Sequence, residues 1–287
     1  MSIETHEQRL TTSDGAQTTL RIFAPASPRA VVVFHGGLGI AGGYYEPFGK
    51  AMAEAGVALV MLEARGVGSS SIRARRGVDF GYRELLECDL PAAVAAARER
   101  FADLPCFVGG HSLGAQVAVL GSAALPDEVA GLVLVAGGSP WWGSYGGAMT
   151  LQVQLAGRLF PLTVRLLGWF PGKLFGFGHR ESQTFMEEWS SCARSGRYAI
   201  EGERDWEAQA VEQAKPVVAV TVQGDDWAPP AAMHELTRRM PHARIDARRV
   251  RLSRPGRGRA HFAWARDPDS VVQVVGDWIR RTLDSNR

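Results

Sequence analysis

The stretch from Cys106 to Ala118 reads CFVGGHSLGAQVA and decides the expected fold. A short apolar run leads into a G-x-S-x-G pattern, and a helix-like run of small residues follows it. A serine at such a strand-to-helix turn is held in a strained backbone conformation, and glycines are needed at positions 110 and 114 because side chains there would clash across the turn. The pattern predicts that the Ser112 hydroxyl projects over the helix N-terminus as a nucleophile; a purely structural turn is the alternative.

Apolar runs on both sides of this stretch predict a largely parallel sheet. Residues 30–34, 57–62, 106–108, 131–136 and 217–222 are short, almost uncharged segments that begin or end at turn residues, as buried parallel strands do. Helix-like segments at 44–55, 82–101 and 113–124 alternate with them. We therefore predict an α/β fold with a doubly wound, mostly parallel sheet, and an antiparallel hairpin over residues 7–23 at its edge.

Residues 137–214 interrupt this alternation. They contain several tryptophans and glycines but no convincing strand. We predict a helical cap inserted into a core formed by residues 1–136 and 215–287, with Trp141 and Trp142 contacting substrate, since loops at this rim of the sheet usually shape the ligand pocket. The alternative is a set of structural helices that only enlarge the core.

A serine nucleophile needs a base, and chain order selects the candidate. His261 follows a predicted last strand at 245–252, so it is expected on the same rim of the sheet as Ser112. An aspartate should fix the histidine tautomer, and Asp225 and Asp226 both follow the apolar strand at 217–222. We favour Asp225, with Asp226 as the alternative.

The oxyanion formed by such an attack needs backbone donors. The glycine-rich loop at 34–39 follows a predicted strand, and the N–H of Leu113 stands at a helix N-terminus. We predict an oxyanion hole made by Gly37 and Leu113, with Leu38 as the substitute for Gly37. A glycine-rich connector without this role is the alternative.

Composition narrows the partner class. Lys+Arg 32 against Asp+Glu 30 gives a net charge of +2, which provides no electrostatic reason to expect nucleic acid. Three widely spaced cysteines do not suggest a disulfide framework or a zinc site, and no metal or organic cofactor is required. No secretory signal or membrane-spanning run is visible, so a cytoplasmic location is expected.

The substrate is predicted from apolar and basic segments. Residues 151–170 carry Leu, Val and Phe at helical spacing, which favours an acyl chain or another lipid-like group. Two arginine clusters, Arg73-Arg75-Arg76 and Arg254-Arg257-Arg259, are expected on the rim that bears Ser112, where they would attract an anionic small-molecule ester. Solvated surface arginines are the alternative.

The order Ser112, Asp225, His261, with the G-H-S-L-G turn and the His35-Gly36 loop, resembles the α/β-hydrolase superfamily, nearest its monoacylglycerol lipase and serine aminopeptidase-like esterase branch. Members similar to this chain carry D-x-R-G-x-G-x-S before the serine turn, and residues 63–70 read EARGVGSS. The resemblance implies a serine esterase acting through an acyl-enzyme. An acyltransferase, a thioesterase and a non-catalytic ligand-binding module remain alternatives.

Overall fold

The structure is a computed structural model that describes residues 3–125, 129–176, 178–253 and 259–285. Ten strands are present in these ranges. In chain order they are β1 (Ile3–Thr11), β2 (Gln17–Pro25), β3 (Val31–His35), β4 (Ala58–Leu62), β5 (Cys106–His111), β6 (Val129–Val135), β7 (Phe170–Pro171), β8 (Arg180–Glu181), β9 (Val217–Val222) and β10 (Ile245–Val250).

Eight of these strands form one sheet in the order β1-β2-β4-β3-β5-β6-β9-β10. The six strands from β4 to β10 in that order run parallel, whereas β1 and β2 are antiparallel to each other and β2 is antiparallel to β4. Every residue of β3, β4 and β9 is buried, as expected of parallel strands covered on both faces. The predicted α/β fold, its mostly parallel sheet and its edge hairpin are confirmed.

Helices cover both faces of the sheet. They are α1 (Glu46–Glu54), α2 (Tyr82–Glu84), α3 (Leu90–Arg100), α4 (Leu113–Leu120), α5 (Gly147–Leu167), α6 (Gln183–Ser195), α7 (Trp206–Val211), α8 (Pro230–Thr237), α9 (Ala260–Ala263) and α10 (Asp269–Ser285). A π-helical turn at Leu85–Asp89 joins α2 to α3. Apolar side chains of α1 and α10 belong to the core on one face, and those of α3 and α4 to the core on the other. None of the described helices combines the length and apolar character needed to cross a membrane.

The strand order positions the site. The chain passes from β3 to β4 on one side and then returns to β5 on the other side of β3. Such a reversal leaves a crevice at the carboxyl ends of the two strands, where ligands of open α/β sheets bind. The glycine-rich loop after β3 and Ser112 after β5 both lie at this crevice.

The segment between β6 and β9 contains α5, α6 and α7. It also contains the two-residue strands β7 and β8, which pair with each other and which the sequence did not predict. A strand of two residues is too short to produce any periodicity in the sequence, so this difference is expected. The treatment of residues 137–214 as a separate cap unit stays a prediction.

Candidate active site

Ser112 sits on a strained turn between β5 and α4. Its φ is 54° and its ψ is −111°, a backbone conformation that residues other than glycine rarely adopt. A Cβ atom built on Gly110 would lie 2.3 Å from the Gly114 carbonyl carbon, and one built on Gly114 would lie 2.0 Å from the His35 carbonyl oxygen. Both glycines are therefore required by contact, and they allow the turn that leaves the Ser112 side chain partly exposed.

The structure brings Ser112, His261 and Asp225 together. The Nε2 atom of His261 lies 3.1 Å from Ser112 Oγ, and its Nδ1 atom lies 2.9 Å from Asp225 Oδ2. The other carboxylate oxygen, Asp225 Oδ1, accepts the backbone N–H groups of Trp227 and Ala228 at 2.9 and 3.0 Å. With both oxygens engaged, Asp225 can orient the imidazole so that Nε2 faces the serine hydroxyl.

The alternative acid, Asp226, takes a different position. Its side chain is exposed, whereas Asp225 and His261 are buried. A carboxylate fixes a histidine tautomer only when it touches the imidazole, so the geometry selects Asp225 of the two neighbours. The roles of Ser112, Asp225 and His261 in a reaction remain a proposal, which is taken up below.

One of the two predicted oxyanion donors needs correction. The N–H of Leu113, at the first position of α4, has no carbonyl one turn earlier to accept it. The N–H of Gly37, in contrast, donates to the hydroxyl of Tyr45 at 2.8 Å and is not offered to a ligand. The substitute, Leu38, lines the cavity beside Ser112 and Leu113, and its N–H makes no hydrogen bond within the described part of the chain. The geometry therefore favours Leu38 and Leu113 as the donor pair.

Tyr45 is a site residue that sequence reasoning missed. Its buried hydroxyl accepts the Gly37 N–H at 2.8 Å and lies within hydrogen-bond distance of His111 Nδ1, at 2.7 Å. Burial lowers the pKa of His111 well below its ordinary value and so keeps that imidazole neutral. The His111 ring in turn packs against the His261 ring, with 4.7 Å between the centroids. Tyr45 thus connects the glycine-rich loop to the packing beneath His261.

A cavity of about 540 Å³ opens at Ser112 and His261. Its lining is mostly apolar, and α5 supplies a large part of it. The α5 side chains that line the cavity include Met149, Val153, Leu155, Ala156, Leu159 and Phe160. Leucines farther along α5, such as Leu162 and Leu166, are exposed and do not line the cavity, so only the first part of the predicted apolar segment contributes to it.

Trp141 and Trp142 do not line this cavity, which corrects their predicted role as substrate contacts. The indole N–H of Trp142 donates to the backbone carbonyl of Arg194, and the Trp141 ring lies against Gly143 and Gly196. Both rings are therefore used in packing at the start of the segment. The aromatic side chains that do line the cavity are Tyr145, Phe160, Phe175, Phe185, Trp189, Trp227 and Phe262.

The arginine clusters are only partly at the cavity. Arg73 donates to the backbone carbonyl of Gly68 and Arg76 to that of Leu166, and neither these two nor Arg75 lines the cavity. This cluster therefore does not line the cavity: Arg73 and Arg76 direct guanidinium donors to backbone carbonyls, and Arg75 is exposed, in keeping with the alternative of solvated surface arginines. Arg254 and Arg257 lie outside the described residues. Arg259 lines the cavity.

Glu63, which replaces the aspartate of the family pattern, is buried beneath the loops that flank the site. Its carboxylate accepts the Gly42 N–H at 2.7 Å, and a Cβ atom on Gly68 would lie 2.3 Å from its carboxyl carbon. Burial raises the pKa of Glu63 above its ordinary value. The longer side chain thus occupies a structural position between two loops and does not reach the cavity.

Within the described residues, no group of three or more His, Cys, Asp or Glu side chains is placed to hold a metal ion. The cysteines Cys88, Cys106 and Cys192 are free.

Comparison with known proteins extends these observations. The chain is 28% identical to human monoglyceride lipase over 127 residues, which is 44% of this chain and 41% of that enzyme, so it spans less than half of the relative's length. A soluble variant of monoglyceride lipase from Saccharomyces cerevisiae superimposes over 98% of both chains with a TM-score of 0.72 and 15% identity. An esterase domain of a Rhodothermus marinus protein covers 98% of this chain and 99% of its own, with a TM-score of 0.60 and 17% identity.

At such identities the two structures show the shared fold alone. The family is shown by a sequence model described as serine aminopeptidase, S33, which matches residues 26–176, just over half of the chain and including Ser112. The resemblance drawn from the sequence is thereby confirmed. The chain belongs to the serine aminopeptidase S33 family of α/β-hydrolases.

Proposed function

We propose that the protein cleaves a carboxylic ester through an acyl-enzyme formed on Ser112. The observation that carries this proposal is the continuous contact from Asp225 to His261 to Ser112, at 2.9 and 3.1 Å, opening into an apolar cavity. A serine hydroxyl is a weak nucleophile until a base removes its proton, and an imidazole held by a buried carboxylate supplies that base.

The reaction proceeds in two steps. His261 takes the proton of Ser112 as Oγ attacks the ester carbonyl, and the N–H groups of Leu38 and Leu113 stabilise the oxyanion. His261 then passes the proton to the leaving alcohol, which departs and leaves the acyl group on Ser112. A water molecule, deprotonated by His261, attacks the acyl carbonyl; the bond to Ser112 Oγ then breaks, His261 returns the proton to Oγ, and the carboxylic acid is released.

The cavity lining supports an ester with an apolar part. Val153, Leu159 and Phe160 of α5 present an apolar wall to the reacting groups, and burial of apolar surface contributes about 0.8 kcal/mol per CH₂ group. Human monoglyceride lipase, to which the chain is similar, is by its name a lipase of monoglycerides, which are lipid esters. We therefore propose a neutral ester carbonyl flanked by an aliphatic or aromatic group as the reacting element.

The test is labelling and turnover of the purified protein with and without Ser112. Ser112→Ala should abolish both covalent labelling by a fluorophosphonate probe and hydrolysis of p-nitrophenyl esters, because no other group would form the acyl-enzyme. Ser191→Ala, which removes a similarly half-exposed serine from α6, should retain both activities. Substantial hydrolysis by purified Ser112→Ala protein would contradict the proposal.

Product analysis separates the related activities. With an added alcohol, amine or thiol acceptor, a hydrolase releases mainly the free acid, whereas an acyltransferase forms the new ester, amide or thioester. A panel of matched oxygen esters and thioesters identifies a thioesterase by its higher kcat/KM for the thioester. Binding of an ester without any turnover would indicate a non-catalytic ligand-binding protein.

A further inference from the structure

Arg259 stands out among the described side chains that line the cavity. It is the only one with a permanent charge, since no lysine and no carboxylate side chain of the described residues shares the lining. Polar side chains elsewhere in the lining, such as Gln116, Tyr145 and Gln152, are neutral. A single cation at the edge of an otherwise apolar cavity discriminates ligands by charge, because it has no acidic neighbour in the lining to repel an anion.

The guanidinium of Arg259 is held in place without an acidic partner. Its Cζ atom lies 4.4 Å from the centroid of the Trp227 ring, within the range of a cation–π contact. The backbone is fixed as well, because the Arg259 carbonyl accepts the N–H groups of Phe262 and Ala263 at the start of α9. Arg259 forms no ion pair with any described residue; of the two aspartates that directly precede Trp227, Asp225 pairs with His261 instead.

Other arginines of the chain show the contrast. Arg65 pairs with Asp14 and Asp89, and Arg239 pairs with Glu207 and Glu235. The guanidinium donors of Arg65 are taken by the Asp14 and Asp89 carboxylates. Those of Arg239 are taken by the Glu207 carboxylate and the backbone carbonyls of Glu235 and Gly196. At Arg259 the aromatic ring positions the side chain and leaves the N–H groups available, which is the arrangement that planar oxyanions recognise.

The charge also lies close to the reacting groups. The centroid of the Trp227 ring, over which the Arg259 guanidinium lies, is 5.7 Å from the centroid of the His261 ring. Adding the 4.4 Å from Arg259 Cζ to the Trp227 centroid places the guanidinium carbon at most about 10 Å from the imidazole centroid. An oxyanion on Arg259 would therefore belong to a substrate whose anionic group stands only a few bonds from its ester.

We propose that Arg259 is a specificity-determining residue that binds an anionic group, a carboxylate or a phosphate, of a short ester held at Ser112. The inference rests on the proposed ester hydrolysis and names its substrate class. The sequence pattern predicts that two arginine clusters attract an anionic ester. In the structure-based proposal, Arg259 alone recognises the anion. The anionic group is recognised by the guanidinium, while the apolar wall of α5 takes the remainder of the substrate.

The test compares kcat/KM for charged and neutral members of matched ester pairs. On the acyl side, p-nitrophenyl hemiglutarate is compared with its methyl-capped diester. On the alcohol side, para-acetoxybenzoate is compared with its methyl ester. Para-acetoxyphenyl phosphate is measured as well, and comparing its kcat/KM with that of para-acetoxybenzoate shows whether the site prefers a phosphate or a carboxylate. The measured quantity is the ratio of kcat/KM for the anionic ester to that for its neutral partner.

We expect Arg259→Gln to lower this ratio about tenfold, equivalent to about 1.4 kcal/mol, in at least one pair, and the pair affected identifies the side that carries the anion. Arg259→Lys should retain part of the ratio, because it keeps the charge and loses the fork. Raising NaCl from ~50 to ~500 mM should lower the ratio of the wild type more than that of Arg259→Gln.

The matched control is Arg266→Gln. Arg266 also lies over an aromatic ring, that of Tyr44 at 4.7 Å, and it does not line the cavity. Its removal changes the net charge equally and should leave the ratio as in the wild type. Ratios for Arg259→Gln within twofold of the wild type in every pair, or an equal fall in Arg266→Gln, would overturn the proposal.

A binding measurement keeps this inference distinct from the proposed function. In the Ser112→Ala background, monomethyl glutarate should bind with a Kd about tenfold lower than in the double variant Ser112→Ala/Arg259→Gln. If no ester is turned over but this difference is found, the proposed ester hydrolysis fails and the anion site stands. If esters are turned over and neither Kd nor the ratio changes, the anion site fails alone.

Discussion

Removing the Tyr45 hydroxyl should show how strongly the glycine-rich loop depends on one buried hydrogen-bonding group. Tyr45→Phe leaves the Gly37 N–H and the His111 Nδ1 without the partner that holds them at 2.8 and 2.7 Å. A buried polar group that loses its partner costs about 1–3 kcal/mol, so the loss of the partner of both groups should lower the free energy of unfolding by about 2–6 kcal/mol. The aromatic packing around the ring is retained, which confines the change to the hydroxyl.

The neighbouring tyrosine provides the control. Tyr44 donates from its hydroxyl to the Phe262 carbonyl at 2.9 Å but is half-buried, so water can replace the lost bond. Tyr44→Phe should therefore lower the free energy of unfolding by only about 0.5–1.5 kcal/mol. Urea unfolding at several temperatures measures both values, and the melting temperature should shift by about 2 °C per kcal/mol in a chain of this size.

Activity should follow the same order. If Tyr45 positions the loop that carries Leu38, Tyr45→Phe should lower kcat/KM about tenfold, less than the 10²–10³ expected for complete loss of an oxyanion donor. Both variants are compared with the wild type at one pH, and burial raises the pKa of Tyr45 above its ordinary value, so its hydroxyl keeps its proton in the wild type. Equal losses of stability and of kcat/KM in Tyr45→Phe and Tyr44→Phe would refute this account of the loop.

Two further predictions concern carboxyl groups. Asp225→Asn should lower kcat by roughly 10³–10⁴, because an amide facing Nδ1 stabilises the histidine tautomer that cannot accept the Ser112 proton. The control Asp226→Asn should change kcat less than twofold. Similar losses of kcat in both variants would reject the assignment of Asp225. Burial raises the pKa of Glu181 to about 7 from 4.5, so the folded protein holds a proton that the unfolded chain releases, and stability should fall as the pH rises from 4.5 to about 7. Glu181→Gln should therefore stabilise the protein at pH 8 relative to pH 4 by up to about 3 kcal/mol, and urea midpoints that shift equally at both pH values would contradict this.

Much of the fold could be predicted from the sequence because local patterns and global topology agree. Strand β9 has the predicted bounds, since a continuous apolar run between turn residues leaves no other way to bury those side chains. Strand β5 extends to His111, beyond the predicted end at residue 108, because the strand pairing continues through two glycines. Glycine lowers strand propensity, so the sequence indicated an earlier end.

The candidate site was predictable where chain order alone fixes position. The carboxyl ends of parallel strands meet at one rim, so a serine after β5, an aspartate after β9 and a histidine after β10 must approach one another. The choice between Asp225 and Asp226 was not fixed in this way, because adjacent residues of a turn point in different directions. Only the hydrogen bonds of the Asp225 carboxylate decide it.

The prediction failed where a contact between distant segments decides which group is available. Gly37 has no side chain and a more adaptable backbone than Leu38. On local grounds, Gly37 is therefore the better oxyanion donor of the two. The Tyr45 hydroxyl, placed by the packing of its ring against Phe34 and Trp264, takes the Gly37 N–H and reverses that choice. Under the proposed mechanism, Tyr45, which does not line the cavity, determines which backbone N–H faces the oxyanion, so Tyr45→Phe tests the catalytic geometry as well as the stability of the fold.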